Sequence, residues 1–189
     1  MTDQIAQIRI TLDDIKPAIW RRVELPISNS LKTLHLAIQA VMLFENYHLF
    51  RFDDDYQDPP TREAGNLRLA KLIERGIATF TYTYDFGDDW RHSIVIEEVR
   101  PANPAIDYPR FVDGARHAPP EDVGGPPGFE EFLEAMAKPR HPEHKSVLQW
   151  YGRPFDPEDI GSHEIRARMA KLAKRRASGK AAHTINMAR

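Results

Sequence analysis

Residues 78–99, "ATFTYTYDFGDDWRHSIVIEEV", constrain the fold more than any other stretch. Phe80, Tyr82, Tyr84 and Phe86 recur at every second position, with Thr79, Thr81, Thr83 and Asp85 between them. After a short polar break, Trp90, His92, Ile94 and Ile96 repeat the pattern. A period of two means strands, each with one buried face. So short a break joins them as an antiparallel hairpin. Paired residues must lie on one side of the sheet. Setting Tyr84 opposite His92 brings Tyr82 to Ile94 and Phe80 to Ile96, so the apolar residues meet. A two-residue "GD" turn would instead pair Thr83 with His92 and mix the faces, so an odd loop centred on Asp88 is expected. In that register Asp85 faces Arg91 across the strands, an exposed ion pair worth ~0.2–1 kcal/mol. Asp88 and Asp89 cap the tip. Asp85 and His92 fall on opposite faces, which argues against a direct acid–imidazole dyad.

The rest of the chain supplies a sheet and helices. Residues 5–12 alternate as a half-buried strand, with Ile8, Ile10 and Leu12 on one face. Past "DDIKP", "IWRRVEL" alternates again and pairs with it. Ser30 caps a helix carrying Leu31, Leu34, His35, Ile38, Val41 and Met42 on one stripe. "YHLFRF" (47–52) reads as a third strand, 53–66 as a loop, and 68–75 as a short helix ended by Gly76. Residues 101–128 are rich in proline and glycine and read as a long irregular connection. Three helical stretches follow, "GFEEFLEAMA", "PEHKSVLQWYG" closed by Gly152, and "SHEIRARMAKLAKRR" capped by Ser162; the last residues are expected to fray. The fold class is α+β, a largely antiparallel β-sheet packed with helices and ending in a C-terminal helical segment. Residues 4–161 are expected to form the α+β domain and 162–189 a basic helix and tail.

Several chemistries are excluded. The 189-residue chain has no cysteine, so disulfides and thiolate metal sites are absent. The "DFG" string lacks the glycine-rich loop and "HRD" of a kinase. "FDDDYQD" lacks the central glycine and terminal glutamate of an EF-hand. No G-x-S-x-G nucleophile setting is present. The start has no basic, apolar signal pattern, and the longest apolar run is too short for a bilayer, so a cytoplasmic location with no membrane contact is expected.

Two surfaces remain as candidates. One combines the hairpin residues Asp85, Asp88, Asp89, Arg91 and His92 with Arg110, Glu121 and Asp122. The last two belong to "PPEDVGGPPG" (119–128), where Gly124 and Gly125 allow unusual backbone angles. Its acids would repel a phosphate; a cation, a basic peptide, or Arg110 and Arg116 of the same segment suit them better. The other surface is basic. Of 26 Lys and Arg, eight fall in 165–189 with no acid among them, leaving 18 basic against 28 acidic residues elsewhere. Arg166, Arg168, Lys171, Lys174, Arg175 and Arg176 could contact nucleic acid through phosphates, with strong salt dependence. A solvated helix is the equal alternative. "HPEH" (141–144) has zinc-like spacing but no further ligands at a recognised distance. His35, on the apolar stripe, reads as a core histidine.

"IKPAIWRRVELP", the helix before "YHLFRF", "YDFGDDWRHSI" and "PPEDVGGPPGFEEFL" occur in the order of the plasmid pRiA4b ORF-3-like family, which the chain resembles over roughly 5–160. The resemblance implies an α+β protein of bacterial or archaeal origin, often borne on plasmids and transposable elements. Some members are labelled transposon passengers or resolvases. Related sequences carry cysteines near "PPED", at positions matching Phe111, Ala118 or Val123; none is here. Phe50 stands where a second histidine is frequent, and Phe129 where tyrosine is usual. Two functions follow as expectations. The first is a binding or accessory module of a mobile element, with nucleic acid or another protein of that element as partner and neither metal nor cofactor. The second is a metal-dependent hydrolase with Asp88, Asp89, Glu121 and Asp122 as oxygen ligands for Mg²⁺.

Overall fold

The computed structural model describes residues 3–53 and 66–187, with side chains of the last helix described as far as Ala177; all but the ends of the loop expected at 53–66 lies outside the described residues. Six strands form one antiparallel sheet: β1 (Gln4–Leu12), β2 (Trp20–Pro26), β3 (Phe50–Asp53), β4 (Thr79–Tyr84), β5 (Trp90–Pro101) and β6 (Arg110–Ala115). Their order across the sheet is β3-β4-β5-β1-β2-β6. The helices are α1 (Leu31–Met42), α2 (Leu69–Glu74), α3 (Gly125–Ala137), α4 (His144–Tyr151) and α5 (Ser162–Met187). The architecture is the expected α+β.

Alternation explains the sheet's two faces. Ile8, Ile10 and Leu12 of β1 are buried, as are Val23 and Leu25 of β2 and Tyr82, Tyr84, Trp90 and Ile94 of the hairpin. They meet Leu34, Ile38 and Val41 of α1, Leu69 and Leu72 of α2, Phe129 and Phe132 of α3, and Ile165 and Met169 of α5 in one core. The other face is polar. There Arg9 lies 4.1 Å over the Trp20 ring, and Arg22 forks onto Glu97 at 2.6 and 2.8 Å. Ser30 caps α1 as expected, its Oγ accepting the Thr33 N–H at 3.4 Å. At the other end of α1, buried Arg21 donates to the Val41 carbonyl at 2.9 Å. Burial lowers its pKa to about 10.

The hairpin register differs from the expected one by two residues. Tyr84 pairs with Trp90, Tyr82 with His92 and Phe80 with Ile94. A shift of two keeps every side chain on its face, so sidedness alone could not detect it. The cause is local. Asp85 leaves the strand at φ 55° and Asp89 turns at φ 53°, so the loop spans 85–89 and centres on Gly87. Asp85 Oδ1 accepts the Gly87 N–H at 2.9 Å, an aspartate turn that ends the strand at Tyr84. The Asp85–Arg91 pair is therefore absent; Arg91 reaches Asp14 at 3.3 Å and Asp89 at 3.2 Å. Phe86, expected on the buried face, is 52% exposed.

Four further expectations change. The connection read as irregular contains β6, which pairs with β2 through a register shift between Arg22 and Val23. That bulge breaks the alternation that would have revealed the strand. The third strand begins only at Phe50, and α5 continues to Met187 where fraying was expected. Arg110 and Arg116 do not serve the "PPED" acids. Arg110 holds buried Glu24 at 2.6 Å together with Arg100, and Arg116 pairs with Glu158.

Candidate functional site

Three separated segments meet at one end of the hairpin. The first is the turn after α1, where Leu43 and Asn46 both take φ 60°. These left-handed residues swing the chain back, and the Tyr47 and His48 N–H groups then donate to the Tyr84 hydroxyl at 3.1 and 3.4 Å. The second is the tip of the hairpin, tied to the first by Asp85 N–H donating to the Leu49 carbonyl at 2.9 Å. The third is the 119–125 loop, which closes over the tip. Gly124 N–H donates to Asp88 Oδ2 at 3.1 Å. Gly125 has φ 69°, and a Cβ there would lie 2.6 Å from the Asp88 carbonyl oxygen, so only glycine permits this approach.

The junction gathers one imidazole and three carboxylates. His48 Nε2 lies 3.0 Å from Asp122 Oδ1, 3.5 Å from Asp85 Oδ2 and 3.9 Å from Glu121 Oε2. Asp85 and Glu121 are largely buried, with side chains 10% and 12% exposed; Asp122 is open to solvent. Glu121 is fixed through its other oxygen, which accepts the Glu45 N–H at 2.6 Å and the Tyr84 hydroxyl at 2.9 Å. Burial and the bond to Glu121 push the Tyr84 phenol well above its ordinary pKa, so it stays a donor. Both His48 Nε2 and Glu121 Oε2 are buried; Glu121 Oε2 accepts no hydrogen bond, and His48 Nε2 approaches Asp122 Oδ1 without hydrogen-bond geometry. Among the described residues, no lysine or arginine pairs with these three carboxylates.

Such a donor set fits a divalent cation. His48, Asp85 and Asp122 each offer an atom, all within 4.8 Å of one another. Zinc binds His nitrogen and carboxylate oxygen at roughly 2.0–2.2 Å, which sets ligand atoms roughly 3–4 Å apart. The mixed nitrogen and oxygen chemistry suits zinc or manganese better than an all-oxygen magnesium cage.

Of the expected hairpin and loop surface, the structure unites Asp85, Glu121 and Asp122, with Asp88 as the anchor of the loop. Asp89 and Arg91 pair with each other on the outer side of the hairpin, and Arg110 lies away at Glu24. His92 is fully buried, and its Nδ1 faces the Trp90 and Tyr82 carbonyls at 3.0 and 3.3 Å. Burial lowers its pKa to about 4. His48 is the residue that sequence reasoning missed. It falls within "YHLFRF", expected to be a strand, whereas the structure starts β3 only at Phe50 and leaves His48 in the preceding turn.

The basic helix is partly spent inside the fold. Arg168 donates to the Phe44 carbonyl at 2.8 Å and to Glu45 and Glu164 at 3.0 and 2.7 Å. Arg176 donates to Asn29 at 3.1 Å, and Arg166 lies 5.4 Å over the Phe111 ring. Lys171, Lys174 and Arg175 are exposed. Among the described residues, no helix is long and apolar enough to cross a membrane.

A family model described as "Plasmid pRiA4b ORF-3-like protein" matches residues 4–164. A protein of Sinorhizobium fredii, described as the uncharacterized protein y4hQ, is 38% identical over 162 residues, covering 80% of this chain and 83% of its own length. The crystal structure of a protein of unknown function from Methanosarcina mazei Go1, MM3350, superposes with a TM-score of 0.76 at 34% identity. That match covers 84% of this chain and 95% of the other.

Proposed function

The chain belongs to the plasmid pRiA4b ORF-3-like family, and we propose that it is a divalent-metal protein whose centre at His48, Asp85 and Asp122 serves hydrolytic chemistry. One observation carries the reading. Glu121 Oε2 is buried and accepts no hydrogen bond, and 3.9 Å from it buried His48 Nε2 approaches Asp122 Oδ1 at 3.0 Å without hydrogen-bond geometry, beside Asp85. An unpaired buried acceptor is costly; a cation held by His48, Asp85 and Asp122 would satisfy those three side chains and bring a water within reach of Glu121 Oε2.

The ligands differ from those first expected. His48 replaces Asp88 and Asp89, which are occupied with Gly124 and Arg91. A bound metal would supply Lewis acidity and a water of lowered pKa. Glu121 suits the role of general base. Tyr84 and Glu45 hold one of its oxygens, leaving Oε2 free to take a proton from an attacking water and return it to the leaving group.

The test is zinc and manganese titration of the metal-stripped protein by calorimetry. Binding in the micromolar range or tighter is expected, lost in His48→Ala and Asp85→Asn. Unchanged binding in both variants, or no binding by the parent chain, would sink the proposal. Nucleic-acid contact through α5 has Lys171, Lys174 and Arg175 as its support, three exposed cations on one helix.

A further inference from the structure

A cleft of about 470 Å³ runs between α3 and α4 and reaches the site at Asp122. Its apolar wall is Phe132, Val147 and Trp150. Its charged groups include Asp122, Glu131 and Glu143, while His141 alone among the lining residues could carry a positive charge. We infer that this cleft binds an organic cation, a guanidinium or ammonium group on an apolar stem. Its use as the substrate pocket of the metal centre rests on the reading above; cation binding itself does not.

The strongest pointer is Trp150. The protein has three tryptophans. Trp90 is buried against Phe129, and Trp20 lies under Arg9 and Arg22 on the polar face of the sheet. Trp150 is 53% exposed, on a helix with no fully buried residue, so a large part of its indole faces solvent. Phe132 meets it edge-on at 6.0 Å and holds the ring at the wall of the cleft. An indole face attracts cations more than any other side-chain ring.

The carboxylates add the matching charge. Glu131 has no ion-pair partner among the described residues, whereas Glu134 is occupied by Lys138 at 2.6 Å. His141 Nδ1 accepts the Glu143 N–H at 3.2 Å. The volume falls within the range of small-molecule pockets. Asp122 stands both at the mouth of the cleft and 3.0 Å from His48 Nε2, so a stem lying in the cleft leads to the centre.

N-butylguanidinium and the uncharged isostere N-butylurea separate charge from shape, with n-butylammonium as the third probe. Binding is followed by amide and indole N–H chemical shifts of the full chain. The guanidinium is expected to shift the Trp150 indole saturably and to bind about tenfold tighter than the urea. Glu131→Gln should weaken it about fivefold and Trp150→Leu about tenfold, at surface positions whose replacement leaves the fold intact. Equal affinity for the urea, or no effect of either substitution, would overturn the cleft assignment. Zinc titration of the same samples keeps the two readings apart. Cation binding retained in His48→Ala, with no zinc bound by the parent, removes the metal centre and leaves the cleft. Zinc bound without cation removes the cleft alone.

Discussion

At the residue scale, two buried histidines make the fold acid-sensitive. His35 sits on α1 with Nδ1 2.7 Å from the Tyr82 hydroxyl and Nε2 2.8 Å from Asn46 Oδ1, its ring stacked on Phe50 at 3.6 Å. The network is satisfied by a neutral ring that donates from Nε2 to Asn46 and accepts from Tyr82. Burial lowers the pKa of His35 to about 4, as it does for His92. Both folded values lie below that of the unfolded chain, so the unfolded state binds protons first as pH falls. Their contribution is complete above pH ~6.5 and declines toward pH 4, by up to ~1.4 kcal/mol per pH unit for each histidine. Urea midpoints measured between pH 7 and 4 should fall accordingly, with a shallower slope in His92→Phe. Identical slopes would refute the assignment. Tyr84→Phe addresses the site. The ring still stacks on Phe44 at 4.9 Å, but Glu121 loses one of its two anchors and the 47–48 backbone loses its acceptor. Zinc affinity should drop about tenfold or more, as for other residues that orient ligands, with little change in the far-ultraviolet spectrum.

At the scale of elements, α5 acts as a strut for the turn that carries His48. Arg168 bonds the Phe44 carbonyl and Glu45, and the Glu45 N–H in turn holds Glu121. Arg168→Ala should cost about 1–2 kcal/mol, since charge-assisted bonds at a half-open site are removed. It should also speed hydrogen exchange at the Glu45 amide, while Lys171→Ala on the exposed side changes neither. Gly125→Ala should be the more damaging loop variant, because its Cβ would meet the Asp88 carbonyl at 2.6 Å. The strands and helices were legible because their periods are unbroken, as in "TFTYTY" and the stripe of α1. The hairpin register was not, because a slip of two leaves sidedness intact while Asp85 and Asp89 set the loop through backbone angles that composition does not reveal. β6 was hidden by its bulge. Of the site, the carboxylates of "DFGDD" and "PPED" stood out as acids. Which of them converge depended on Gly124 and Gly125 folding back onto Asp88, and on the left-handed turns at Leu43 and Asn46 that deliver His48.

Across the whole molecule, the site joins parts of the chain that are far apart in sequence. His48 follows α1, Asp85 ends β4, and Glu121 and Asp122 precede α3. Three carboxylates around one imidazole repel one another, so the metal-free protein carries electrostatic strain at this junction. Metal and charge removal should therefore act in opposite senses on the two states. In the metal-free protein, Asp122→Asn should raise stability by about 0.5–1 kcal/mol, a modest gain because Asp122 is open to solvent. With zinc at a hundred times its dissociation constant, the parent chain should gain about 2.7 kcal/mol, since the unfolded chain cannot assemble the ligands. For a domain of this length that corresponds to a rise of roughly 5–10 °C in Tm. Asp122→Asn should show a smaller rise, because one anionic ligand has become neutral. Scanning calorimetry of both proteins, with zinc and with chelator, gives all four numbers. A variant that is less stable than the parent without metal, yet equally stabilised by zinc, would mean that Asp122 serves the loop and not the cation.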